Sequence, residues 1–249
     1  MSDNPNIIGE IIEASTMQFT AESRTLYAPP IFGSFVKAVF KSDALPQAYI
    51  SANDPSSTDY DPFIGSAGSF NTQYHQTFSG ETPEVNQVVS VPSLPSAIFG
   101  IVYQASTTPA NKGSRLRAYW KDEDQLKAEQ PQLEEWQLLT EFRAVIIGFA
   151  GADGTMRQFI PPQPPKVHTF VEVCTDDEIR AVSTRLDFLR TLANFSEAPN
   201  EEVIAACIRD ANRARGGDFE FLVSAGKELA SLMKDDYDRL QAIIRRIAP

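Results

Sequence analysis

Side chains able to carry acid–base, nucleophilic or metal chemistry are sparse in this sequence. Two histidines occur, His75 and His168, and two cysteines, Cys174 and Cys207. Structural zinc sites need paired Cys or His a few residues apart, and neither that spacing, a His-Glu-x-x-His run nor a calcium loop appears. No metal or cofactor is therefore expected. His168, in Val167-His168-Thr169-Phe170, reads as a half-buried residue at a domain junction. No Gly-x-Ser-x-Gly nucleophile elbow is present. The one Gly-Lys pair, Gly226-Lys227, has Phe221 where a phosphate loop needs its leading glycine and Glu228 where it needs Ser or Thr. It also sits inside a helical pattern, so ATP hydrolysis is not expected. Asp122-Glu123-Asp124 and Asp235-Asp236 read as solvated helix ends. The chain is expected not to be an enzyme. The catalytic alternative is a hydrolase whose carboxylates meet only in the tertiary structure, between two domains.

Bulk properties narrow the partners. The 249 residues carry 33 acids against 22 Lys and Arg, a net charge of −11. A field of that sign repels phosphate backbones and argues against direct nucleic-acid binding. Two small basic sets, Lys112/Arg115/Arg117 and Arg239/Arg245/Arg246, are too few to reverse it. The acidic, polar Met1-Ser2-Asp3-Asn4-Pro5 does not resemble a signal peptide, and no window approaches the ~18 apolar residues of a membrane span. The two cysteines lie in apolar surroundings and are expected as unpaired buried thiols. A cytoplasmic protein is expected.

The elements that must position any site begin with strands. From Met17 to Tyr27 the residues alternate, with Met17, Phe19, Ala21 and Tyr27 on one side and Gln18, Thr20, Glu22 and Arg24 on the other. Pro29-Pro30 stops that strand, and an apolar run, Ile31 to Phe40, follows. Residues 42–88 are a long polar insertion with singly scattered aromatics. It is either a mobile loop over the core or a docking arm whose Tyr49, Tyr60, Phe63, Phe70, Tyr74 and Phe78 plug a partner's pockets. Strand character resumes at Val88-Val89 and Ile98–Tyr103, then at Phe142–Ala150. Gly151–Gly154 reads as a hairpin turn before a returning strand, Thr155–Ile160. Between these, residues 121–139 predict a short helix with Leu133, Trp136 and Leu139 on its buried face.

Pro161-Pro162-Gln163-Pro164-Pro165 is a stiff spacer, placed as the domain boundary. Helices follow. Thr175-Asp176-Asp177-Glu178 is a capping box leading into Ile179, Val182, Leu186 and Leu189. Asn200 caps a helix carrying Val203, Ile204, Cys207 and Ile208, ended near Gly216-Gly217. Asp218 opens another, and Tyr237 to Ile247 is the last. Their apolar stripes need partners.

Gly9–Thr16, Phe19-Thr20-Ala21, Pro30–Val36 and Gly100-Ile101-Val102-Tyr103 together resemble the HAS barrel. That barrel is the N-terminal β-domain of HerA-type hexameric DNA translocases. Pro131-Gln132-Leu133, Thr140-Glu141-Phe142 and Phe159–Pro165 are similar to stand-alone HAS-barrel proteins of cyanobacterial type. The resemblance implies a ring-building and docking element that contacts a NurA-type nuclease, without the motor, whose phosphate loop is missing here. No catalytic residue carries over.

The expectation is an α+β protein: residues 1–165 as an N-terminal antiparallel HAS-like β-barrel, residues 166–249 as a small C-terminal helical bundle. Its expected work is non-catalytic protein binding or assembly. The partner is a ring ATPase, a nuclease or a second copy of the chain. The alternatives are an accessory factor of a HerA–NurA-type DNA-processing machine and the hydrolase above.

Overall fold

The computed structural model describes residues 6–40, 95–111, 113, 118–129, 138–151 and 153–247. Seven strands lie in one antiparallel sheet: β1 (Ile7–Ala14), β2 (Gln18–Ser23), β3 (Phe35–Val39), β4 (Pro95–Pro109), β5 (Leu138–Gly151), β6 (Met156–Arg157) and β7 (Phe170–Val173). Their order is β2-β1-β7-β3-β4-β5-β6, and β2 pairs again with β5. That extra pairing closes six strands into a barrel and leaves β6 as a flap on β5. Among the described residues the helices are α1 (Glu123–Glu129), α2 (Asp176–Val182), α3 (Phe188–Ala193), α4 (Asn200–Ala214), α5 (Phe219–Leu232) and α6 (Tyr237–Ile247). The fold class is α+β.

Side-chain alternation builds two cores. Ile11, Phe19, Ala21, Val36, Ala38, Ile98, Val102, Phe142, Ala144, Ile146, Phe149 and Val171, from all six barrel strands, fill the interior. The intervening residues of β3, β4 and β5 (Phe35, Phe99, Ile101, Tyr103, Val145 and Ile147) point outwards and share a second core with the helices. Those strands are apolar on both faces, as strands covered on both sides must be. The barrel is narrow because its inward positions include glycine. A Cβ on Gly9 would lie 2.4 Å from the Glu22 carbonyl oxygen and 2.9 Å from the Phe142 ring.

Helix α4 is the hub of the outer core. Val203, Ile204, Ala205, Ala206, Cys207, Ile208, Ala211 and Ala214 are all buried, which leaves it little solvent-facing surface. It packs against β4 and against α2, α3, α5 and α6. Small residues let it approach closely: Gly33, at φ +84°, faces Ala206, whose Cβ would be 2.2 Å from a Cβ at position 33. Thr175 and Glu178 form the expected capping box on α2, and Asp218 caps α5 through the Glu220 and Phe221 amides.

Several elements differ from expectation. The strand at β2 ends at Ser23, so Met17 and Tyr27 fall outside it and are exposed. Ile31–Ser34 is a turn, closed by Ser34 N–H on the Ile31 oxygen, so β3 starts only at Phe35. Leu139 belongs to strand β5, not to a helix; Leu133 and Trp136 lie outside the described residues. The returning strand of the hairpin is two residues long, because the proline run begins soon after it. Thr175 to Leu189 is two helices, broken at Ser183, and Pro199, not Asn200, occupies the N-cap of α4. Strand β7 lies beyond Pro165, where the sequence predicts helices. It lies between β1 and β3, with Phe170 opposite Glu10 and Ala38 opposite Val171.

Candidate functional site

Two arrangements merit chemical scrutiny. The first is a polar set on the outer wall of the barrel, brought together by β2, β4, β5 and the loop before α4. Tyr103 is 3% exposed and donates its hydroxyl to Gln18 Oε1, with Glu197 Oε2 at 3.4 Å. Gln18 Nε2 donates to both Glu197 oxygens at 2.9 Å. The Phe195 ring meets Tyr103 edge-on, 4.8 Å between centroids. Burial, and after it the Glu197 carboxylate, hold the phenol above its usual pKa, while Arg143 pulls the other way. A phenol kept protonated, beside a carboxylate already holding an amide, is a hydrogen-bonded clasp between barrel and helices. It offers no activated nucleophile. Lys37 makes a second clasp, bonding Glu178 Oε1 of α2 at 2.6 Å and Glu172 Oε2 of β7 at 3.3 Å.

The second arrangement is an apolar rim. The registers place the β1–β2 turn, the end of β3, the starts of β4 and β7 and the β5–β6 hairpin at one end of the barrel. Ile12, Met17, Val39, Phe159, Ile160, Val167 and Phe170 are all at least partly exposed there. The proline run holds several of them out. Pro161 and Pro165 are buried, anchoring the segment that leaves β6 and enters β7. Phe159 rests edge-on against Phe149 at 5.3 Å but keeps most of its ring in solvent. Phe40 and Pro95 also belong to this end, one following β3 and the other opening β4. These seven side chains are 39–60% exposed, although Ala97, Ala150 and Met156 at the same end pack against the helical core.

The expected site residues distribute as follows. Tyr49, Tyr60, Phe63, Phe70, Tyr74 and Phe78 lie outside the described residues, as do His75, Lys112, Arg115 and Arg117. His168 is not half-buried. Its ring is 79% exposed, its φ is +69°, and Nδ1 lies 2.6 Å from Glu10 Oε1. Cys174 and Cys207 are free and buried, and burial pushes both thiols up in pKa. Arg239 and Arg246 do not face solvent on their own: they pair with Glu201 and Glu202 of α4. These pairs line an open groove of about 460 Å³ with Pro199, Asp236 and Ala242, so its positive charge is matched within the chain. Asp122 and Asp236 do sit at helix starts, accepting from the Gln125 and Arg239 amides.

Neither arrangement is assembled by local sequence alone. The Tyr103 set comes from residues up to 179 positions apart. The rim was readable only in part, since Phe159-Ile160 beside a proline run was the visible signal. Among the described residues, no group of three or more His, Cys, Asp or Glu is placed to hold a metal ion, and no helix is long and apolar enough to cross a membrane. Set beside models of known protein families and beside curated proteins, the sequence finds no match.

Proposed function

We propose that this chain is a non-catalytic docking module, a HAS-like N-terminal barrel buttressed by a C-terminal helical bundle, that attaches to a larger cytoplasmic assembly through its apolar rim. One observation carries this reading: seven large apolar side chains, 39–60% exposed, crowd one end of the barrel. Isolated exposed apolar residues are ordinary, whereas a cluster of them marks a contact surface. Complete burial of a Leu- or Phe-sized side chain gives about 1.5–3 kcal/mol, which is the favourable part of an association that must also offset lost freedom of motion. The resemblance to the HAS barrel supplies the class of partner, a ring ATPase or nuclease subunit of a HerA–NurA-type machine.

A hydrolase between barrel and helices is the rival, favoured only by the convergence of Gln18, Tyr103, Arg143 and Glu197. Those groups bond one another, so the docking reading is preferred. Photo-cross-linking tests it: a photoreactive residue at Ile160 or Phe170 in the intact chain, in source cells, is expected to trap one defined partner, and the same probe at Glu220 to trap none. Equal trapping from both places, or none from the rim, overturns the proposal.

A further inference from the structure

We propose that the outer edge of β4 beyond the barrel, Gln104–Thr108, pairs antiparallel with the same edge of a second copy of this chain. Strand β4 is 15 residues long, and its two sides are covered unequally. On one side β5 follows it to the end, as far as Pro109 opposite Leu138. On the other, β3 accompanies it only to Val102, whose N–H donates to Ser34 O at 3.1 Å and whose oxygen accepts from Gly33 N–H at 2.7 Å. There the Ile31–Ser34 turn carries the neighbouring chain off the sheet. From Gln104 onward, no described backbone group outside β5 bonds this strand. A strand edge that bonds no described backbone group is a template for strand addition.

The chemistry of the edge selects a second copy as the occupant. Proteins commonly guard such edges with lysine or another charge. Here residues 104–111, Gln-Ala-Ser-Thr-Thr-Pro-Ala-Asn, carry none, although the whole chain has a net charge of −11. Two copies can therefore meet along this edge without opposing like charges on the strand itself. Antiparallel pairing about a two-fold axis at Ser106 sets Gln104 of each copy against Thr108 of the other. The following residues, Pro109 and Ala110, then arrive at the other copy's Ile31 and Phe32. Those side chains are 81% and 42% exposed at the turn that frees the edge. The patch is thus self-complementary, as a two-fold contact must be. Bulging between Val102 and Gln104 at one end and Pro109 at the other limits the pairing to about five residues. So short an interface falls below the roughly 1,000 Å² of a stable dimer, and the association is weak and concentration-dependent. It is separate from the rim and does not rest on the docking proposal.

Sedimentation and light scattering of the full chain test the pairing, from low to high micromolar concentration. A reversible monomer–dimer equilibrium is expected. Ser106→Glu and Ser106→Lys are each expected to abolish it while the chain stays folded, with only small and opposite melting shifts from the facing Glu141. An equimolar mixture of the two is expected to restore a heterodimer. Ser106→Cys is expected to form an intermolecular disulfide on mild oxidation, because directly opposed antiparallel residues have Cα atoms about 4.5–5.5 Å apart. The natural thiols are buried and leave little background. Ile160→Ser/Phe170→Ser should dimerise normally, which separates this test from that of the rim. A wild-type chain that is monomeric at every concentration overturns the proposal. So does a dimer that both charged variants leave intact, or an edge occupied only by a foreign peptide.

Discussion

The two walls of the barrel follow opposite rules. On the β3–β4–β5 wall both faces of each strand are apolar, the outward residues lie under helices, and polar groups are used as clasps. On the β1–β2–β7 wall inward positions are apolar but outward ones mix Glu10, Gln18, Glu22 and Glu172 with half-exposed Ile12 and Phe170. The first wall is where the fold is held together. The second keeps its alternation yet leaves apolar side chains in water, a cost that structure alone does not require. Under the proposed function, the exposed apolar side chains of the second wall and of the barrel end beside it are the contact surface.

Substitutions should reproduce the division, beginning with the largest effect. Phe35 is fully buried in the covered wall, edge-on to Phe188 at 6.1 Å, and Phe35→Ala is expected to cost about 3–5 kcal/mol in denaturant unfolding. A cost below 1 kcal/mol would show that the helices are not integral to the barrel's stability. Gly33→Ala is expected to cost about 1–3 kcal/mol, from its positive φ and its collision with Ala206. Ala206→Gly itself costs about 1 kcal/mol in a helix. In that background Gly33→Ala should cost less but not nothing, since the Ala206 backbone carbon stays 2.9 Å from the added Cβ. An equal cost in both backgrounds would mean that α4 does not approach Gly33 as described.

Lys37→Met should cost about 1 kcal/mol, because solvent screens part of its ion pair. Burial raises the Glu178 carboxyl, but the bonds from Lys37 and from the Thr175 amide outweigh it and leave the group below its ordinary 4.5. A depressed carboxyl contributes stability above its unfolded pKa and loses it as pH falls through the folded one. The gap between wild type and Lys37→Met is therefore widest near neutrality and closes below pH 4.5. Lys37 itself is raised above 10.5, since Glu178 and Glu172 together outweigh its burial, so its contribution also fades at strongly alkaline pH. A gap independent of pH would contradict the pairing.

Legibility in the sequence followed the same division. Phe19 and Ala21 announced a strand by alternation, and Val145-Ile146-Ile147 announced one by an unbroken apolar run; both are barrel strands. The capping box at Thr175 and the cap at Asp218 were visible because a cap is local. Strand β7 was hidden because four residues, Phe-Val-Glu-Val, are too short for a period to declare itself and follow a run of prolines. The Tyr103 clasp was hidden because its partners meet only after the barrel closes. The rim belongs to neither class: exposure is a property of what fails to cover a residue, and Ile160 or Phe170 reads like any core residue until the neighbours are known.

The most direct test is a paired measurement on Ile12→Ser/Ile160→Ser/Phe170→Ser: unfolding free energy, and capture of the partner trapped at the rim. Each exposed substitution is expected to change stability by no more than about 0.5 kcal/mol, while capture falls at least tenfold. Undiminished capture by a fully folded variant would contradict the proposal that the rim is a docking surface.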